Sequence, residues 1–382
     1  MTKATQPSTW RGLLLAVAVA AAALLALAPS AFATRDPIAG GTTDLHMKKG
    51  FLRKLANNQI TAQGVGAGTV AGNKIGLSVS GGMLDPTDVQ GFLETRGGFK
   101  LARGNRGVPI TNVTVNNVKL AVFASIAKAR MQLGTLLLPT ARREGFGANF
   151  KSVKLSLTEK AARRISNRLG LSPGRRIKGG RTLSNLYAAA QPETVTLLNQ
   201  GSATLAVSGT ALGKFAAKGV KVPEGITAIA PATAEAGKTS FQLPVLGGRL
   251  APDASKGVVE TAGGVQILKK TASLSPEVRL KNINVDFGAK AAAVELEILP
   301  SPPFPGAAGR SSIVDVSLGP KSVSANPTAR EITIQGAEAR LQQGAASTFN
   351  DVFNQPPPAP PPSSNFVVGD PLGTFSMTLH GQ

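Results

Sequence analysis

The chain has 382 residues, with 42 Lys and Arg against 21 Asp and Glu, a formal net charge of +21, and no cysteine. Hydrophobic residues make up 42% and charged residues 16%, which is too apolar for a disordered tail and too sparsely charged for a long coiled coil. Without thiols there can be no disulfides, thiol catalysis, Cys-ligated zinc or iron–sulfur clusters, and two histidines, His46 and His380, leave almost no room for a multi-histidine metal site.

Residues 1–33 read as a secretory signal peptide. Lys3 and Arg11 supply the positive start, residues 13–27 are an apolar run, and Pro29 and Ser30 break it. Ala31-Phe32-Ala33 offers small residues where a signal peptidase reads, so cleavage is expected after Ala33 and export to the cell envelope or beyond. No later stretch reaches about 18 consecutive apolar residues, so no transmembrane helix is expected in the mature chain. Losing Lys3 and Arg11 leaves a net charge of +19, and losing Trp10 leaves Tyr187 as the one Trp or Tyr. Stacking platforms for bases or sugars use several Trp or Tyr rings, so nucleic-acid binding is not expected and a lectin reading is weakened too.

Along the mature chain, residues 74–80 alternate apolar with small or polar residues, as a half-buried strand does. The same alternation returns at residues 108–118, 153–157, 195–197, 314–318 and 331–334. Leu157, Ala161, Ile165 and Leu169 are spaced for one helix face, with Thr158 as N-cap and Gly170 as the stop. Late in the chain, residues 301–306 form a stiff Pro-rich loop. Residues 356–362 hold six prolines, read as an extended connection before a closing strand at 374–379.

The chain also repeats itself. Gly81, Gly82, Leu84, Pro86, Gly91, Glu94, Thr95, Gly97 and Gly98 recur 166 positions later as Gly247, Gly248, Leu250, Pro252, Gly257, Glu260, Thr261, Gly263 and Gly264. Asn112-Val113-Thr114-Val115 returns as Asn282-Ile283-Asn284-Val285, and the helix stripe as Leu341, Ala345, Phe349 and Phe353. So long a period indicates tandem globular domains, placed at 34–190 and 191–382. The predicted fold class is mainly β: two tandem β-sandwich-like domains, each with one short amphipathic helix.

The motif of paired glycines, Leu-Asp-Pro, a second glycine pair, a later Asn-Val-Thr-Val strand and a Leu-Thr-x2-Ala-Ala helix resembles HtaA-type domains. These occur, often in tandem, in secreted and wall-associated actinobacterial proteins. The resemblance implies a β-rich domain with a short helix and, in the best-known members, haem capture through a tyrosine ligand supported by a histidine. The family's tyrosine segment corresponds to residues 45–55, which hold Phe51 but no Tyr; its histidine falls near Thr95 and Thr261, where neither copy has His. The chain reads as that scaffold without those ligands, so no cofactor is expected, with haem or another small ligand as the alternative.

The remaining candidates are few. Tyr187 could bind ferric iron as a phenolate, and His46 beside Met47 could ligate haem or copper, but neighbours on a strand face opposite ways. The plainer readings are a half-buried aromatic for Tyr187 and a frayed terminus for His380. Glu94 and Glu260 recur beside Thr95 and Thr261, which suits a structural hydrogen bond better than a catalytic carboxylate pair. No Ser-His-Asp set and no Gly-Lys-Ser/Thr phosphate loop is present, so no enzyme activity is expected.

The charge itself is uneven. Residues 142–181 carry twelve cations against Glu144 and Glu159. Lys160, Arg164 and Arg168 should stack on the helix face away from the apolar stripe, joined by Arg163, Arg175 and Arg176. The second copy keeps the stripe without these cations, so the fold does not demand them. Against the plain alternative of a solvated basic face, they are read as a contact for an anionic cell-wall polymer or lipid headgroups.

Overall fold

A computed structural model describes residues 35–137, 140–235, 237, 239–272, 274–300, 306–354 and 362–382. The expected signal peptide, the 301–305 loop and residues 356–361 of the Pro-rich connection lie outside the described residues.

The alternating segments fold as antiparallel strands, and in each half eight of them close into a ring. The first half runs β1 (Asp36–Met47), α1 (Lys49–Asn57), β2 (Thr61–Val65), β3 (Thr69–Ala71), β4 (Lys74–Leu84), β5 (Gly91–Arg96), β6 (Gly98–Arg103) and β7 (Arg106–Asn116). It continues with β8 (Ala121–Ile126), β9 (Ala129–Leu137), β10 (Ala141–Glu144), β11 (Gly147–Leu157), α2 (Glu159–Arg168), one helical turn at Pro173–Arg175, and β12 (Thr182–Pro192). The ring order is β7-β5-β4-β1-β12-β11-β9-β8 and back to β7, with β6 and β2 added along β7.

The second half runs β13 (Val195–Thr196), β14 (Ser202–Val207), α3 (Gly209–Ala217), β15 (Ile226–Ile229), β16 (Thr233–Ala234), β17 (Ser240–Leu250), β18 (Gly257–Thr261), β19 (Gly264–Leu268) and β20 (Glu277–Asp286). After it come β21 (Ala291–Ile298), β22 (Ala307–Ser317), β23 (Val323–Asn326), β24 (Glu331–Leu341), α4 (Gln343–Phe353) and β25 (Pro371–His380). Its ring, β20-β18-β17-β14-β25-β24-β22-β21, repeats the first element for element; only β13 has no counterpart. The architecture is mainly β, as the alternation implied. Each expected sandwich is one sheet closed on itself, because β7 pairs with β8 as well as β5, and β20 with both β18 and β21.

Each half carries two helices rather than one. The expected pair are α2 and α4. Ala161 N–H donates to Thr158 Oγ1 at 3.2 Å, and Gly170, at φ +64°, ends the first of them. Their stripes are buried, with Ala161 and Leu169 at 0% exposure. The added pair, α1 and α3, each follow the first long strand of a ring. Leu55 and Phe215 are their anchors into the cores.

The repeated turn residues have a structural cause. Gly97 and Gly263 sit at φ +79° and +76°, which a side chain resists, and a Cβ on Gly98 or Gly264 would collide with the carbonyl of Ile110 or Leu280. Thr95 Oγ1 donates to Val113 O at 3.0 Å and Thr261 Oγ1 to Ile283 O at 2.8 Å, closing the bulges at Asn112 and Asn282. Glu94 and Glu260 beside them are exposed. The recurrence of Glu-Thr therefore rests on the threonine.

The two rings meet at a buried polar junction. Asp36 is 1% exposed; its Oδ1 accepts from Thr196 N and Oγ1 at 3.0 and 2.9 Å, and its other oxygen is 3.6 Å from Arg143. Arg143 donates to Phe146 O and, at 2.6 Å, to Gln382 O. Phe146 packs into the second core. His380 and the residues after it are thus held in the sheet instead of fraying, since Gly381 bridges to Leu197.

Candidate functional site

The sequence-predicted cations do not form one face. Lys160, Arg163 and Arg168 are exposed along a groove of about 800 Å³ on α2, together with Glu159, Asn167 and Met131. Arg164 lines it too, but its guanidinium is committed to the fold: Nε donates to Ile126 O at 2.9 Å and a terminal nitrogen to Ala127 O at 3.3 Å. This corrects the expectation of a free stack of Lys160, Arg164 and Arg168. Ala127 and Lys128 turn the chain at φ +47° and +70°, so the carbonyls there are left for a side chain to satisfy. Arg175 is exposed on the helical turn and lines neither groove.

Arg176 belongs elsewhere, in a second cleft of about 670 Å³ between α1 and residues 174–182. Its cations are Lys48, Lys54, Lys154, Arg176, Lys178 and Arg181, and its lining includes no carboxylate. None of the six is in an ion pair among the described residues. Phe51 and Leu157 form its apolar floor and also line a void of about 10 Å³ inside the barrel. Such a concentration of unpaired like charge costs stability unless counter-ions or a ligand neutralise it.

Backbone bonds identify the matching place in the second barrel. Lys48 N–H donates to Leu183 O as Ser208 N–H does to Leu372 O, and Leu157 N–H donates to Arg181 O as Leu341 N–H does to Asp370 O. Lys154 faces Asn185 across β11 and β12 as Glu338 faces Thr374. So Lys48, Lys154 and Arg181 are replaced by Ser208, Glu338 and Asp370, and Lys214, the counterpart of Lys54, is paired with Asp370. Nearby, burial, with the charges of Lys269 and Lys214, pushes Lys218 down to about 8, and its ammonium donates to Asn365 Oδ1 at 3.1 Å. In that copy the cations hold the fold; in the first they face solvent.

Tyr187 and His46, distant in sequence, are brought together. Both project outward from neighbouring strands β12 and β1, with ring centroids 4.6 Å apart and planes tilted by 43°. Met47 points into the core, on the opposite face from His46, as strand alternation requires. At the second glycine pair, the groove around Thr95, Gly97 and Arg130 has no imidazole or phenol. Among the described residues no group of three or more His, Cys, Asp and Glu could hold a metal ion. Also among them, no helix is long and apolar enough to cross a membrane.

Sequence reasoning passed over Lys48 and Lys54, which lie about a hundred residues before the rest of the cleft. The signal was present in the run Lys48-Lys49-Gly50-Phe51-Leu52-Arg53-Lys54, whose Phe51 and Leu55 stand one helical turn apart.

Among solved structures, the chain is similar to the C-terminal domain of HtaA from Corynebacterium glutamicum, at 13% identity and a TM-score of 0.34, covering 41% of this chain and 98% of that one. It is also similar to the heme binding protein HtaB of that organism (13%, 0.31, 50% and 95%) and to the N-terminal domain of HtaA (16%, 0.31, 48% and 99%). No family model and no curated protein matches the chain.

Proposed function

We infer that the chain is an exported, non-enzymatic binding protein of two HtaA-like domains, near 34–190 and 191–382, and that it holds a phosphate-bearing anionic component of the cell envelope in the first domain. The observation that carries this reading is the cleft of six unpaired cations without a carboxylate, set against an ion-paired copy of the same place in the second barrel. Export is supported by the leader pattern of residues 1–33. The test is salt-sensitive retention on immobilised polyphosphate and on purified cell wall. Lys48→Ala, Arg176→Ala and Lys178→Ala together are expected to weaken binding about a hundredfold, at roughly 1 kcal/mol for each contact. The same three changes at Lys160, Arg163 and Arg168 should cost much less. Wild-type retention by the cleft variant would end this reading.

A second reading, haem capture, is favoured by the ring contact of His46 with Tyr187. The void inside the first barrel has room for about one water, so a macrocycle fits only against the outer face, where Tyr187 would hold the iron and Lys151 and Lys154 would meet the propionates. Titration with haemin should then give a saturable Soret shift that Tyr187→Phe abolishes. No shift at one equivalent retires haem.

A further inference from the structure

Four outward-facing residues form a row across the first barrel. Lys154 on β11 lies opposite Asn185 on β12, Asn185 opposite His46 on β1, and His46 opposite Lys74 on β4. Their chain neighbours Val153, Leu155, Leu186, Leu45 and Ile75 are buried, so all four point away from the core. With strands about 4.8 Å apart, the row is about 14 Å long. Tyr187 projects from the same face two residues beyond Asn185, against the His46 ring, beside a groove of about 360 Å³ that Lys151 and Asn149 also line. Since Lys154 lines the basic cleft as well, the row begins at the rim of that cleft.

Charge changes along the row. Lys74 is paired with Asp44 at 2.9 Å, so the far end is neutral, whereas Lys151 and Lys154 make no ion pair among the described residues. Asn185 donates to Ser152 Oγ at 2.8 Å, and its Oδ1 is buried and has no partner among the described residues, so this side chain spaces the row without offering an acceptor to solvent. The second barrel has Glu338, Thr374, Ala206 and Ser240 at the matching positions, and Ser376 in place of Tyr187. A ring of the same order closes there without either aromatic residue, so the fold does not call for His46 or Tyr187.

We propose that this face is a sugar platform continuous with the basic cleft, and that the ligand is a phosphate-bearing glycan. The phosphates lie in the cleft and against Lys151 and Lys154, and a sugar ring lies on the His46–Tyr187 pair. A pyranose ring turns a C–H face to an aromatic ring and its hydroxyls to a polar acceptor, which the partly exposed Asp44 carboxylate supplies here. A bare polyphosphate has no apolar face and gains nothing from the pair. The proposal rests on the anion-binding reading, and the experiment separates the two.

The full chain is titrated with phosphomannan, with unphosphorylated mannan and with inorganic polyphosphate. The 19F resonance of incorporated 3-fluorotyrosine is followed, a single line because the sequence has one Tyr. Phosphomannan is expected to bind about tenfold more tightly per phosphate than polyphosphate, and only phosphomannan should shift the 19F line. Tyr187→Ala with His46→Ala should remove that tenfold and leave polyphosphate binding unchanged, while Tyr187→Phe keeps most of it. Equal loss for both polymers, or a 19F line that phosphomannan does not move, overturns the platform and leaves the anion-binding reading standing. If neither polymer binds, both readings fall.

Discussion

Lys154→Glu combined with Arg181→Asp is expected to weaken polyanion binding about a thousandfold while leaving the thermal midpoint unchanged or raised. These are the residues of the second barrel at the same two positions, where Lys214 pairs with Asp370. The change removes two attractive contacts and adds two repulsive ones, about 4 kcal/mol at roughly 1 kcal/mol each. Stability should move the other way. Lys54 gains the partner that Lys214 has, and six like charges in one cleft become four cations and two anions, worth up to about 1 kcal/mol at this partly exposed site. The measurements are calorimetric titration with polyphosphate at low salt and a thermal melt. The binding difference should shrink as salt rises, because exposed charges are screened beyond about 10 Å at 0.1 M. A variant that melts well below wild type would show that the cations serve folding after all.

Asp36→Ala is expected to have the largest effect on stability, about 3 kcal/mol and a fall on the order of 5–10 °C in the midpoint. It strips the half-buried Arg143 of its counter-charge and leaves Thr196 N–H without its acceptor, at the place where β13 and Gln382 meet the first barrel. Asp36→Asn keeps that acceptor and should cost less. Burial raises the Asp36 carboxyl above its ordinary value, against the bonds from Thr196 and the charge of Arg143. The folded chain therefore holds this proton more tightly than the unfolded one. The resulting stabilisation is fully present below about pH 4, the ordinary carboxyl range, and is lost as pH rises through the raised value. Asp36→Asn, which cannot titrate, should accordingly gain on the wild type between about pH 4 and pH 7. Melts of both proteins across that range check the sign.

The repeat was legible because it is written in residues that the backbone forces. Gly97 and Gly263 stand where φ is positive, Gly98 and Gly264 where another strand's carbonyl leaves no room for a side chain, and such positions keep their spacing when the rest drifts. Ring closure was not legible, since alternation reports which face of a strand is buried and is silent on which strands are neighbours. α1 and α3 were missed for different reasons. Lys48 offers no side-chain cap to announce α1, and α3 is capped by Ser208 but built largely of Gly and Ala, with a weak apolar pattern. The basic character of residues 142–181 was evident, but its partition was not. Arg164 turns to backbone carbonyls, Arg176 joins cations from α1, and only the tertiary fold sets Lys48 and Lys54 beside Arg181. His46 and Tyr187 lie about 140 residues apart, and strand pairing alone brings their rings together.

The closed rings also limit how a partner can be read. A closed ring offers an incoming chain no sheet edge of its own; among the described residues the one-sided strands are the short β2, β3 and β10 outside the first ring and β13, β15, β16 and β23 outside the second. Recognition then falls to side chains, and on a β surface these stand at fixed intervals: about 4.8 Å from strand to strand and about 6.7 Å along one strand. The outer face of β11, β12, β1 and β4 is in that sense a ruler. On the reading proposed above, its free cations stand at the β11 edge and its aromatic pair one and two strands on, so the interval between phosphate and sugar in a linear polymer, more than the total charge, becomes the quantity selected.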